Sequence, residues 1–127
     1  MGSFRDLTVY KKAFDLAMQI FDITKKFPSE EKYELTDQIR RSSRAACRAI
    51  GEGYRKRQYP KHFSSKMSDT DMENTETQVS LDFALKCKYI IEEEYLDLVK
   101  NSEEVVRMLN HMVENPEKYG PIQKKDR

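Results

Sequence analysis

Apolar residues recur along this chain at steps of three and four, in four separate stretches. The first runs Val9, Ala13, Leu16, Ile20, Ile23, Phe27, the spacing of a helix that turns one face to other helices. Tyr10, Phe14, Ala17 and Phe21 form an adjacent stripe that widens this face, and Pro28 ends the helix, because the residue before a proline is pushed out of the α region. The second stripe is Leu35, Ile39, Ser43, Ala46, Ile50, Tyr54. Pro60 suits the first turn of a third helix, which carries Phe63, Met67, Asn74, Leu81 and Leu85 on one side, with Met72, Val79 and Phe83 beside them. Its middle is polar, and Thr70, Asn74 and Thr77 are placed to hydrogen-bond Ser42 and Ser43 across a bundle. The fourth stripe is Tyr95, Leu98, Ser102, Val105, Leu109, Met112, closed by Pro116 and Gly120. Glu92, Glu93 and Glu94 stand in its first turn, where the helix dipole favours negative charge.

These stripes predict helices over about 7–27, 31–57, 60–88 and 92–115, with a flexible tail at 118–127. Nothing between them alternates like a strand. Connections of about three to seven residues force neighbouring helices antiparallel. The expected architecture is all-α, an antiparallel up-down-up-down four-helix bundle in a single domain spanning 1–127.

Composition agrees with long helices solvated on their outer faces: 38% of residues are hydrophobic and 35% charged. Two cysteines, Cys47 and Cys87, are too few for a disulfide framework, and no run approaches the roughly 20 apolar residues of a membrane span. A reducing cytoplasm is the expected compartment, with no membrane partner.

Charge changes the picture more. The formal net charge of +1 conceals segregation. Residues 40–66 carry nine cations against one acid, whereas residues 67–117 carry four cations against thirteen acids. With Ile39 as origin at 100° per residue, Arg41, Arg44, Arg48 and Arg55 fall on the side of the second helix opposite its core face, along about 20 Å. Arg40 lies at i, i+4 from Arg44, while Lys56, Arg57 and Lys61 extend the charge into the next turn. A charged stripe is ordinarily a solvated face. Here the cations are mostly arginines, suited to bidentate contacts with carboxylate or phosphate. Only Glu52 is placed to pair locally, with Arg48 or Arg55. Two partners fit: a nucleic-acid backbone, or a neighbouring copy presenting Asp69, Glu73 and Glu76. On the second account these acids and Glu52 are oligomer-interface residues.

Catalytic constellations are sparse. No Glu-x-x-His of the di-iron bundles is present, so no metal and no cofactor are expected. No triad context, Gly-rich phosphate loop or small-molecule site is apparent. Arg57-Gln58-Tyr59-Pro60-Lys61-His62 matches the short Arg-x4-His pattern of the HEPN ribonucleases, in which a basic cluster beside a histidine binds RNA and shuttles a proton.

Several ordered segments point to a family. Phe4-Arg5-Asp6-Leu7, Thr24-Lys25-Lys26-Phe27-Pro28, Leu35 through Ser43 and Ile50-Gly51-Glu52-Gly53 are followed by Glu73 through Gln78, Tyr89 through Tyr95, and Arg107-Met108-Leu109-Asn110. Together they resemble the four-helix bundle proteins encoded in intervening sequences of 23S ribosomal RNA genes, over about residues 4–119. The resemblance implies a non-catalytic protein that assembles into a homopentameric ring with a basic surface for RNA or DNA. A distant relative of similar shape, the accessory protein of diversity-generating retroelements, binds nucleic acid. The chain departs from the family at Ala49, where an Asn is common, and at Lys88, where a Gly is common. Lys88 is therefore expected to form a mildly strained left-handed helix cap.

Overall fold

The computed structural model describes residues 2–119. Four helices are present: α1 (Thr8–Thr24), α2 (Leu35–Arg55), α3 (Pro60–Lys86) and α4 (Glu92–Glu114), and the described residues contain no strand. Each helix packs on its neighbours in sequence and α4 closes on α1, which is the expected antiparallel four-helix bundle.

The end of α1 and the start of α2 differ from the periodicity. α1 stops at Thr24, because Lys25, Lys26 and Phe27 donate to carbonyls three residues back and tighten the chain ahead of Pro28. Phe27 is still buried, stacked obliquely on Tyr89 at 5.3 Å. α2 starts at Leu35, not near residue 31, so ten residues (25–34) join it to α1. Glu31 explains this: its side chain accepts from the Leu35 N–H at 3.2 Å and from the Tyr89 hydroxyl at 2.8 Å, capping α2 from outside the helix. That acceptor also pushes the Tyr89 hydroxyl above the usual phenol range.

The core has two apolar halves separated by a polar layer. One half gathers Val9, Ala13, Ile50, Phe63, Met67, Val105 and Leu109; the other gathers Leu16, Ile20, Ile39, Leu81, Ile90 and Leu98. Between them the Ser42 and Thr77 hydroxyls share a 2.7 Å hydrogen bond, as the polar middle of α3 suggested. Asn74 instead donates to the Ser102 carbonyl at 2.9 Å, and Gln78 to the Ser102 hydroxyl. Thr70 and Ser43 bond back to carbonyls of their own helices. No buried side-chain polar atom among the described residues lacks a partner, so the layer fixes register without an orphaned group.

α2 and α3 are closely packed at Gly53, where an added Cβ would collide with Met67 Cε and stand 2.9 Å from Lys66 Cβ. Just past the end of α3, Lys88 takes the expected left-handed conformation at φ 66°. Lys88 donates to Leu85 and Tyr89 to Ala84, the paired bonds of a Schellman cap, here without glycine.

The chain after α4 is described as far as Tyr119. Pro116–Lys118 form a 3-10 turn and Tyr119 stacks on Phe63 at 6.2 Å, with its hydroxyl 2.9 Å from His111 Nδ1. Gly120 and the remainder of the proposed tail lie outside the described residues.

Candidate nucleic-acid interface

α2 exposes Arg41, Arg44, Arg48 and Arg55 on one outward face, as the helical wheel required. The structure then divides the cations by what holds them. Arg40 is half-buried and turned inward against α1. Its Nε donates to Thr24 Oγ1 at 2.7 Å, its terminal nitrogen to the Phe21 carbonyl at 3.4 Å, and its guanidinium lies 4.7 Å over the Phe21 ring. It therefore joins two helices and is removed from the exposed stripe.

Local pairing also differs from expectation. Arg41 meets Asp37 one turn earlier at 2.6 Å, and Glu52 turns away from Arg48 and Arg55 to meet Lys66 of α3 at 3.0 Å. That bond raises the Lys66 pKa above its ordinary value. Among the described residues, Arg44, Arg48, Arg55, Lys56, Arg57 and Lys61 make no salt bridge. Several lie against aromatic rings instead: Arg44 at 5.6 Å from the Phe21 centroid, Arg55 at 5.8 Å from Phe4, Lys56 at 6.0 Å from Tyr59, Arg57 at 4.0 Å from Tyr54. Cation–π contact orients a guanidinium while leaving its N–H donors available at the edge.

Acid accumulates on the neighbouring face. Asp69, Glu73 and Glu76 occupy the outer side of α3, and a groove of about 270 Å³ between α2 and α3 has Arg48, Glu52, Lys66, Asp69, Met72 and Glu73 in its walls. Partial burial, then the charges of Glu76 and Asp69, raise the Glu73 carboxyl above the usual carboxylate range. Met72, Val79 and Phe83, taken in sequence as flanking the core stripe, are 61%, 48% and 59% exposed and form one outward line.

The Arg-x4-His pair separates into two local contacts. Arg57 donates to the Tyr54 carbonyl at 2.9 Å and covers that residue's ring, whereas His62 meets the Tyr59 ring edge-on at 6.0 Å. The described residues contain no group of three or more His, Cys, Asp or Glu that could hold a metal ion. No described helix is long and apolar enough to cross a membrane. Cys47 is buried beside the basic face, and burial pushes its thiol up to about 11, opposed by Arg48.

Sequence reasoning missed the aromatic supports. Phe4, Phe21 and Tyr54 were legible as apolar residues, but nothing in the linear pattern said that arginines would lie over them.

The fold is an antiparallel helical bundle with a basic α2 face beside an acidic α3 face. The chain belongs to the 23S rRNA-intervening sequence protein family, whose model matches residues 5–111. A solved structure of a protein of unknown function, assigned to the S23 ribosomal protein family of Bacteroides thetaiotaomicron, superposes with a TM-score of 0.75 at 25% identity. The match covers 84% of this chain and 98% of that one. No curated protein matches the chain.

Proposed function

We propose that this protein is a non-catalytic, self-assembling bundle that binds RNA or DNA through the outer face of α2. One observation carries the reading: Arg44, Arg48 and Arg55 project from one helix with no carboxylate paired to them among the described residues, although Glu52 is close in sequence and engaged elsewhere. Cations held this way neutralise phosphates and release counterions, which is the main source of sequence-independent affinity. No base-reading element accompanies them, so binding is led by charge and shape. Assembly into a ring, of five copies on the family resemblance, multiplies the patch into a multivalent surface. The cytoplasm is the compartment this role fits.

A second reading has its own support. The exposed Met72, Val79 and Phe83 line runs beside Asp69, Glu73 and Glu76, an acidic and partly apolar face that complements the arginines of another copy. On that reading α2 is covered in the assembly and the protein is a structural adaptor.

Light-scattering mass, with and without a structured RNA at low and physiological salt, separates the two. An oligomer whose mass rises with RNA at low salt, and falls back as salt rises, supports nucleic-acid binding. An oligomer indifferent to RNA transfers the arginines to the subunit contact, and a clean monomer removes the assembly claim.

A further inference from the structure

The basic face of α2 does not stand alone, because a ladder of aromatic rings on the N-terminal segment and α1 runs beside it. Phe4 meets Tyr10 edge-on at 5.1 Å, and Tyr10 meets Phe14 at 5.9 Å with the planes inclined by 31°. Phe14 is 46% exposed and Met18, one turn on, 45%. Across from them stand Arg44 and Arg48, and the two helices enclose a groove of about 290 Å³. Arg5 lies 4.4 Å over the Phe4 ring at one end of the ladder, and Arg44 also lies 5.6 Å from the Phe21 centroid.

An apolar stripe left exposed on α1 gains nothing in water. Its pairing with unmatched arginines sets the chemistry of the occupant. Flat unsaturated rings fit against Phe14 and Met18, with an anion within reach of Arg44 and Arg48. Single-stranded nucleic acid has both at every residue. Duplexes offer only the phosphates, since their bases are stacked on one another. Single-strand binders combine a basic groove with aromatic platforms, each stacked base contributing affinity whatever its identity.

We infer that the α1–α2 groove takes single-stranded RNA or DNA, with Phe14 as a stacking platform and Arg44 and Arg48 on the adjoining phosphates. This rests on the proposed nucleic-acid function and narrows it to unpaired strands. The groove is continuous with the exposed arginines, so one strand engages both. From Tyr10 to Phe21 the helix rises about 17 Å, room for a few nucleotides.

The test is fluorescence anisotropy with a labelled single strand of about 12 nucleotides, within the range of a single-strand site, in RNA and DNA forms, and with its blunt duplex. Either single strand is expected to bind more tightly than the duplex. Phe14→Ala should weaken single-strand binding by about 5- to 100-fold and leave duplex binding nearly unchanged. Phe14→Trp should preserve binding. Because the chain contains no tryptophan, its emission reports the site alone, and quenching by bound strand is expected. Duplex binding equal to single-strand binding, with Phe14→Ala silent, would overturn the inference and leave the proposed function standing. No binding of any probe would remove both. Loss of oligomer mass in Phe14→Ala, read by light scattering, would mean that a second copy covers the stripe, and would also overturn it.

Discussion

Gly53 faces α3 with no room for a side chain, so its hydrogen is what lets α2 and α3 pack there. Gly53→Ala forces Cβ into Met67 and against Lys66 Cβ, whose own backbone cannot retreat. Overpacking of this kind costs about 1–3 kcal/mol, which urea unfolding will read directly. Lys88 is the opposite case. It holds a left-handed conformation that a side chain resists, so Lys88→Gly should stabilise the protein by about 0.5–1 kcal/mol once the added freedom of the unfolded glycine is subtracted. That strain was legible in advance, because the missing Gly could be seen against the family pattern. Gly53 was not, since its contact joins residues whose distance only the fold defines. Cys47 supplies a pH test at the same scale. Its thiol is raised to about 11 by burial, so the folded state favours the protonated form more than the unfolded chain does. This contribution is fully present below the ordinary thiol range and is lost as pH rises towards about 11. Thiol-directed alkylation at mildly alkaline pH should modify exposed Cys87 quickly and Cys47 slowly; equal rates would contradict the burial.

Among the elements, α2 shows how differently neighbouring arginines are used. Arg40 bridges to Thr24 and Phe21. Arg40→Ala removes a charge-assisted hydrogen bond and a stacked guanidinium, an expected loss of about 1–2 kcal/mol in thermal or urea unfolding. Arg44→Ala, exposed on the next turn, should change stability by no more than about 0.5 kcal/mol. Equal losses would mean that the division between structural and exposed arginines is wrong. α4 begins at another such device. Glu94 accepts from the Ile91 N–H at 3.0 Å and from Lys26 at 3.3 Å, and chiefly the first of these holds its carboxyl below the usual range. Its contribution is present above the carboxylate's ordinary pKa and is lost as pH falls through the lowered one. Glu94→Gln should therefore flatten the acid limb of the pH–stability curve. The helices themselves could be read from three- and four-residue spacing punctuated by Pro28, Pro60 and Pro116. The start of α2 could not, because Glu30, Glu31 and Glu34 are good helix formers, and a side chain reaching Leu35 from outside leaves no periodic signal. Nor could the wheel tell that Phe14, Met72, Val79 and Phe83 face outward, since a wide apolar face is buried only as far as neighbouring helices reach.

For the whole molecule, the decisive feature is the separation of charge that net composition hides. Among the described residues Arg44, Arg48 and Arg55 of α2 meet no carboxylate, while Asp69, Glu73 and Glu76 gather on α3. The segregation was visible in the sequence. Which acids would be taken was not: Glu52 crosses to Lys66 and Asp37 holds Arg41, and those two choices leave Arg44 and Arg48 as the centre of the face. The most direct test is the salt dependence of single-strand binding by the wild type and by the Arg44→Ala/Arg48→Ala double variant. If these arginines meet phosphates, the slope of log K against log salt should flatten by about 0.7 for each arginine removed, about 1.4 for the pair, while the fold and the oligomer mass stay unchanged. A double variant that binds with the wild-type slope would contradict the account and return the stripe to solvent or to a second copy.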